Sequence, residues 1–139
     1  MMAELIKELF DWTAAETGLI PAVEYHCGHF PPSSEGTAED DGAVLLDIGG
    51  EESQPVIRGN VGEAMFQVLA RGRTYFTADN LAQMLHRVLS DCAGADLGEH
   101  QVYVIDAVSR PQMLPLDERM RFEMSTTYLV RFVRKADWP

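Results

Sequence analysis

The sequence predicts an α+β fold, a mostly antiparallel sheet with two helices packed on it in the order α-β-β-β-α-β-β. Three observations carry that expectation. Ala78, Leu81, Ala82, Leu85, Val88, Leu89 and Cys92 recur at helical spacing, whereas Met120 to Val133 alternates with period two along its whole length. Only one other stretch, near the N-terminus, has a helical period, so most strands must follow one another directly.

In chain order, Ala3–Thr17 places Leu5, Ile6, Leu9, Trp12 and Thr13 on one side, with Glu4, Lys7, Glu8 and Asp11 around the rest. Gly18 and Pro21 end this first helix. Ala22–Cys27 has the Val and Tyr content of a strand and runs into Gly28, His29, Phe30, Pro31 and Pro32. From Pro31 to Asp41 the chain carries Pro, Ser, Gly, Thr and four acids without an apolar period. Such a composition buries too little surface to offset ordering entropy, so a mobile acidic loop is expected at about 31–41. Ala43–Ile48 is a second strand closed by Gly49-Gly50. With the first it is expected to form an extended hairpin across the long loop.

A third strand, Glu63–Ala70, alternates Phe66, Val68 and Ala70 with Met65, Gln67 and Leu69, and Arg71-Gly72-Arg73 ends it. Thr77 then opens the second helix, which closes near Gly94. Cys92 falls on its apolar stripe and reads as a buried small hydrophobe, not a reactive thiol. Gln101–Val108 and Met120–Val133 are the last strands, separated by a turn containing Pro111, Pro115 and Asp117. In the final strand Met120, Phe122, Met124, Thr126, Tyr128, Val130 and Phe132 take the core side, while Arg121, Glu123, Ser125, Thr127 and Arg131 dominate the other. That second side either sees water or meets another subunit.

At 139 residues, 46% hydrophobic and 24% charged, the chain is expected to form a single domain, 1–139, around one core. Its apolar runs, such as Ala43-Val44-Leu45-Leu46, fall far short of the ~20 residues of a membrane helix. Met1-Met2-Ala3-Glu4 offers neither a basic leader nor an apolar segment, and two cysteines build no disulfide framework, so a reducing cytosol is expected. Charge is uneven. Residues 1–55 hold twelve acids against Lys7 alone, a net −11, and the remaining ten acids and ten bases cancel. This excludes a general nucleic-acid binder, which must neutralise phosphates with Lys and Arg.

Little in the sequence points to catalysis. His26-Cys27-Gly28-His29 lacks the companions of a four-ligand metal site, and His86 and His100 read as surface or boundary residues. No Gly-x-Ser-x-Gly is present, and neither Gly49-Gly50 nor Gly59-Asn60-Val61-Gly62 opens a helix as a phosphate-binding loop does. No catalytic residues, metal or cofactor are therefore expected.

The second half carries a family resemblance. Phe66-Gln67-Val68-Leu69-Ala70-Arg71-Gly72, the helix Thr77–Asp91, Pro111-Gln112-Met113-Leu114-Pro115-Leu116-Asp117-Glu118-Arg119 and the long last strand form an ordered set. As a set it resembles the tail terminator proteins of long-tailed bacteriophages, some of them labelled minor capsid or head-to-tail joining proteins. The resemblance implies a tail-terminator-like fold and a structural virion protein, not an enzyme. It implies assembly in the bacterial host cytoplasm into a ring, usually a homohexamer, on the head-proximal end of the tail tube. There the ring would stop tube growth and present a docking surface to the head. The partners implied are other copies of the chain, the major tail tube protein and head-completion or connector proteins, with DNA passing through but not specifically bound and no membrane involved. Another neck component, a stopper or connector adaptor, is the alternative in the same class, and a cytosolic small-molecule-binding α+β domain is the alternative outside it.

A closed ring needs two different complementary patches on each subunit. Arg71, Arg73, Arg110, Arg119, Arg121 and Arg131 are the expected subunit or tube contacts, and Glu39, Asp40, Asp41, Glu51 and Glu52 the expected acidic lumen or rim.

Overall fold

The computed structural model describes residues 2–19, 25–28, 42–48, 61–116 and 121–134. Helix α1 (Met2–Thr17) is followed by strands β1 (Tyr25–Cys27), β2 (Gly42–Asp47) and β3 (Val61–Gly72), helix α2 (Tyr75–Ser90), and strands β4 (His100–Ala107), β5 (Gln112–Leu114) and β6 (Phe122–Arg134). The strands form one mostly antiparallel sheet in the order β1-β2-β3-β6-β4, with β5 also paired to β6.

The sheet is built around β3 and β6, which pair antiparallel without interruption from Val61↔Val133 to Gly72↔Phe122. Their even-numbered side chains form the core face. Ala64, Phe66, Val68 and Ala70 alternate with half-buried neighbours, as do Met124, Thr126, Tyr128 and Val130 opposite them. Phe66 and Tyr128 are stacked cross-strand partners with ring centroids 5.3 Å apart. Leu5, Ile6, Leu9 and Phe10 of α1 and Leu85 and Leu89 of α2 close the same core. Burying side chains of this size contributes roughly 1.5–3 kcal/mol each, which is why the apolar stripes of both helices meet one sheet face.

Local chemistry fixes the helix ends. Thr74, not Thr77, caps α2: its Oγ1 accepts a hydrogen bond from the Thr77 N–H at 3.1 Å, so Thr77 stands a turn inside the helix. The start of α2 crosses the end of β3 so closely that a Cβ at Gly72 would stand 2.7 Å from the Ala78 nitrogen. Cys92 lies beyond the helix in the core, fully buried, and burial pushes its thiol up to about 12. In α1 the Thr13 hydroxyl lies 2.6 Å from that of Tyr25, whose ring stacks on Phe10. Burial raises the Tyr25 phenol and keeps it neutral.

Three further expectations are corrected. β1 and β2 are not a hairpin, because Tyr25↔Ala43, His26↔Val44 and Cys27↔Leu45 pair in parallel. Parallel neighbours need a return connection of a dozen or more residues, and the fourteen residues 28–41 provide that length. The mobile loop expected at 31–41 lies outside the described residues. Second, the proline-flanked turn contains a strand. Gln112, Met113 and Leu114 pair with Ser125, Met124 and Glu123, continuing the edge that β4 starts along β6.

Third, His100 is no surface residue; it is 1% exposed. Glu8 of α1 reaches it with both oxygens: Oε2 lies 3.1 Å from Nδ1, and Oε1 accepts the His100 backbone N–H at 3.2 Å. The far side of the imidazole meets the Phe132 ring edge to face. This contact ties the N-terminal helix to the start of β4. Glu8→Ala removes both acceptors from a buried donor pair and is expected to cost about 1–3 kcal/mol, read as a lower urea midpoint with an unchanged slope.

Candidate assembly surface

Among the described residues, half of the exposed large apolar side chains lie on the β4–β5 edge. β4 pairs with β6 on one side only, with a bulge between Val102 and Val104. The start of its other side is covered by the segment following α2, where Asp96 bridges Gln101 and the Val102 N–H donates to the Ala95 carbonyl. Beyond Val102, no strand among the described residues pairs with this outer edge. The Val108 N–H donates to Thr127 O at 2.8 Å, so β4 and β5 are two lengths of one edge, broken at Ser109-Arg110-Pro111.

Tyr103, Val104, Val108 and Met113 line that edge at 49, 40, 58 and 45% exposure. Natural sheets protect open edges with charges, prolines, bulges or a partner, because an exposed apolar edge is a template for another chain. Here the bulge, Pro111 and the exposed charge of Asp106 protect part of the run, but Tyr103, Val104, Val108 and Met113 remain exposed between them. At the break, Ala107, Val108, Ser109, Arg110 and Pro111 face His86 of α2 across a shallow groove of about 340 Å³. His86 Nδ1 lies 2.9 Å from the Tyr128 hydroxyl. Burial raises the Tyr128 phenol, which stays neutral, and Nε2 is the imidazole nitrogen left for a ligand in the groove.

A second apolar patch opens at the start of β6, beside β5. Phe76, 74% exposed, meets Tyr75 edge to face, and Tyr75 meets Phe122 in the same way.

The arginines expected at interfaces divide into distinct settings. Arg71 and Arg121 are buried, the former 3.9 Å from Glu123 Oε2. Arg131, on the sheet face away from the helices, donates from Nε to Glu63 Oε2 at 2.7 Å. Arg73 and Arg110 are exposed. Arg119 lies outside the described residues, as do Glu39, Asp40, Asp41, Glu51 and Glu52. No group of three or more His, Cys, Asp or Glu among the described residues could hold a metal ion, and no described helix is long and apolar enough to cross a membrane.

Reading for charge thus overlooked the apolar edge. One signal was present, since Val102-Tyr103-Val104-Ile105 is apolar without a break where a strand with one buried face needs only alternate apolar residues.

Comparison with known proteins gives this surface a context. Residues 28–134 match the family described as bacteriophage tail terminator protein. Among solved structures, a chain of the virion of a native gene transfer agent particle is similar in fold, at 17% identity and a TM-score of 0.58, over 87% of this chain and 84% of that one. A second solved chain aligns with 99% of this one and 94% of its own length at 15% identity and a TM-score of 0.45. No curated protein matches. The family match runs from the end of β1 to the end of β6 and takes in the whole β4–β5 edge. The chain belongs to the bacteriophage tail terminator family, a family of structural proteins and not enzymes, and it is a tail or neck component of a phage virion.

Proposed function

We propose that the protein caps the head-proximal end of the tail tube as a closed ring of its own copies, six in number, ends tube growth and supplies the surface on which the head or its connector docks. The observation that carries this reading is the β4–β5 edge, a strand edge rich in exposed apolar side chains that no described strand pairs beyond Val102, in a member of a tail terminator family. Adding a neighbour there satisfies backbone groups and covers Tyr103, Val104 and Val108 together. The free protein, made in the host cytoplasm, is a monomer or weak oligomer that closes into a ring on the tube end. A ring that closed readily in solution would compete with capping.

Purified tube protein polymerised with this chain is expected to give shorter tubes bearing a ring at one end in electron micrographs, while light scattering shows the free chain to be small. Tubes of unchanged length without end density, or a stable dimer indifferent to tubes, would refute the reading.

The acidic excess of residues 1–55 fits a channel or rim that DNA passes without sticking. Carboxylates repel phosphates over about 8 Å at physiological salt, and with Lys7 the sole cation of these residues the counterion-release term that drives DNA binding is small. Replacing Glu51 and Glu52 with Lys is expected to leave tails assembled but to slow DNA release in a salt-sensitive way, measured by dye entry into ejected DNA. Ejection at the parent rate would place these acids outside the channel.

A further inference from the structure

The open edge carries one acid and one base. Between Tyr103 and Met113 the charged residues are Asp106 and Arg110, four positions apart with Val108 midway. Both are exposed, and neither has an ion-pair partner among the described residues. Val108 is the most exposed large apolar side chain of the edge, at 58%. Its N–H points inward to Thr127, so by the alternation of an antiparallel ladder the backbone groups of its neighbour Ala107 point outward. Arg110 stands in the break between β4 and β5, outside either strand.

Such an edge is complementary to itself. When two copies pair antiparallel about a two-fold axis through Val108, each Val108 meets its own mate, Asp106 of each copy meets Arg110 of the other, and Ala107 meets Ser109. Centring the axis on Asp106 or Arg110 sets like charges opposite each other, and centring it on Ala107 or Ser109 opposes neither charge to the other. Charge thus selects one register. The ladder it allows is short, because Pro111, opposite Ile105 in that register, has no N–H to donate, and the Val102 N–H is already engaged by Ala95.

We propose that two free copies of the chain pair edge to edge about Val108 as a weak symmetric dimer, its register set by reciprocal contacts between Asp106 and Arg110. A two-fold contact closes on itself, so each dimer occupies both open edges and cannot grow into a ring. The pairing stands on the edge alone, whereas its consequence, that the edge is withheld until a tube end competes for it, rests on the ring reading.

Two full-length variants test it, Asp106→Lys and Arg110→Glu. Dimerisation is measured by sedimentation equilibrium and capping by microscopy of tube ends. Both side chains are exposed, so the unfolding midpoints are expected to match that of the parent. The parent is expected to show a reversible monomer–dimer equilibrium. Each variant alone sets like charges against each other in both contacts and is expected to dimerise at least about tenfold more weakly. In an equimolar mixture the introduced lysine of one variant meets the introduced glutamate of the other, and the unaltered Arg110 meets the unaltered Asp106. The mixture is expected to recover to within about threefold of the parent as a one-to-one pair, and recovery on mixing can only come from contacts between chains. Variants that dimerise like the parent, a mixture as weak as its components, or a parent that caps tubes but stays monomeric in solution would overturn the pairing and leave the ring intact. Recovery in species larger than two chains would overturn the two-fold contact. A parent that dimerises but leaves tubes uncapped would sustain the pairing and remove the ring reading.

Discussion

Tyr128→Ala is expected to destabilise the protein by about 3–5 kcal/mol, the cost of truncating a large buried aromatic and leaving a cavity. Tyr128 is 2% exposed in the middle of β6, the strand shared by β3 on one side and β4–β5 on the other. Its ring lies on Phe66, and its hydroxyl engages His86 of α2. The side chain therefore joins three elements, and neighbours held in two directions by the sheet ladder can collapse only partly into the gap. Tyr128→Phe keeps the ring and removes only the contact with His86, for a cost of about 1 kcal/mol. Urea unfolding separates the two, with a large shift of midpoint for alanine, a small one for phenylalanine and the same slope in both. An alanine variant that unfolds at the parent midpoint would contradict the packing described for β6.

The position of Tyr128 was legible because period two over thirteen residues leaves one assignment of faces, and a one-residue slip would expose the entire apolar set. The same holds for α2, where Ala78, Ala82, Leu85 and Leu89 could bury together only as a helix. Strand pairing was less legible. Nothing local to Tyr25–Cys27 distinguishes a parallel from an antiparallel partner, and fourteen intervening residues suit either a long hairpin or a crossover. β5 was hidden because its three residues are a strand through their pairing with β6, not through their own propensity, and Pro111 and Pro115 mark their ends as turns.

His100 shows the limit most clearly. Its sequence neighbours Gly98 and Glu99 are polar and exposed, whereas the group that permits its burial, Glu8, lies ninety-two positions away. The assembly surface was obscured for a related reason. Reading the second half for cations found Arg110, but Arg71 and Arg121 were placed by the fold inside the subunit, and the apolar residues of β4 looked like core. They would have been core had another strand followed at that edge. Among the described residues the sheet ends there instead, and what the sequence pattern describes as interior is the face that the proposed ring would offer to a second chain.

Replacing Val104 and Val108 together with Lys is expected to weaken self-association and tube capping at least about 100-fold, or roughly 2.7 kcal/mol, while leaving the unfolding midpoint nearly unchanged. Both side chains are substantially exposed, so the isolated subunit loses little packing. In the assembled ring the same positions would be covered, and a lysine there must either desolvate its charge or hold the neighbour's strand away; lysine on an open edge is a common natural barrier to strand addition. Phe76→Lys supplies the contrast. Phe76 is more exposed than any edge residue, and simple loss of surface hydrophobicity would make it the more damaging substitution. It belongs with Phe122, however, beside the β5 end of the edge but nine residues along β6 from Arg131, the partner of Val104, a separation from Val104 of about 30 Å at 3.3 Å per residue. Strand addition centred on Val104 and Val108 of the β4 stretch therefore predicts that Phe76→Lys leaves self-association at the parent level. Equal losses from the edge and helix variants would trace assembly to general surface hydrophobicity, and a loss confined to Phe76→Lys would move the subunit contact to the start of α2.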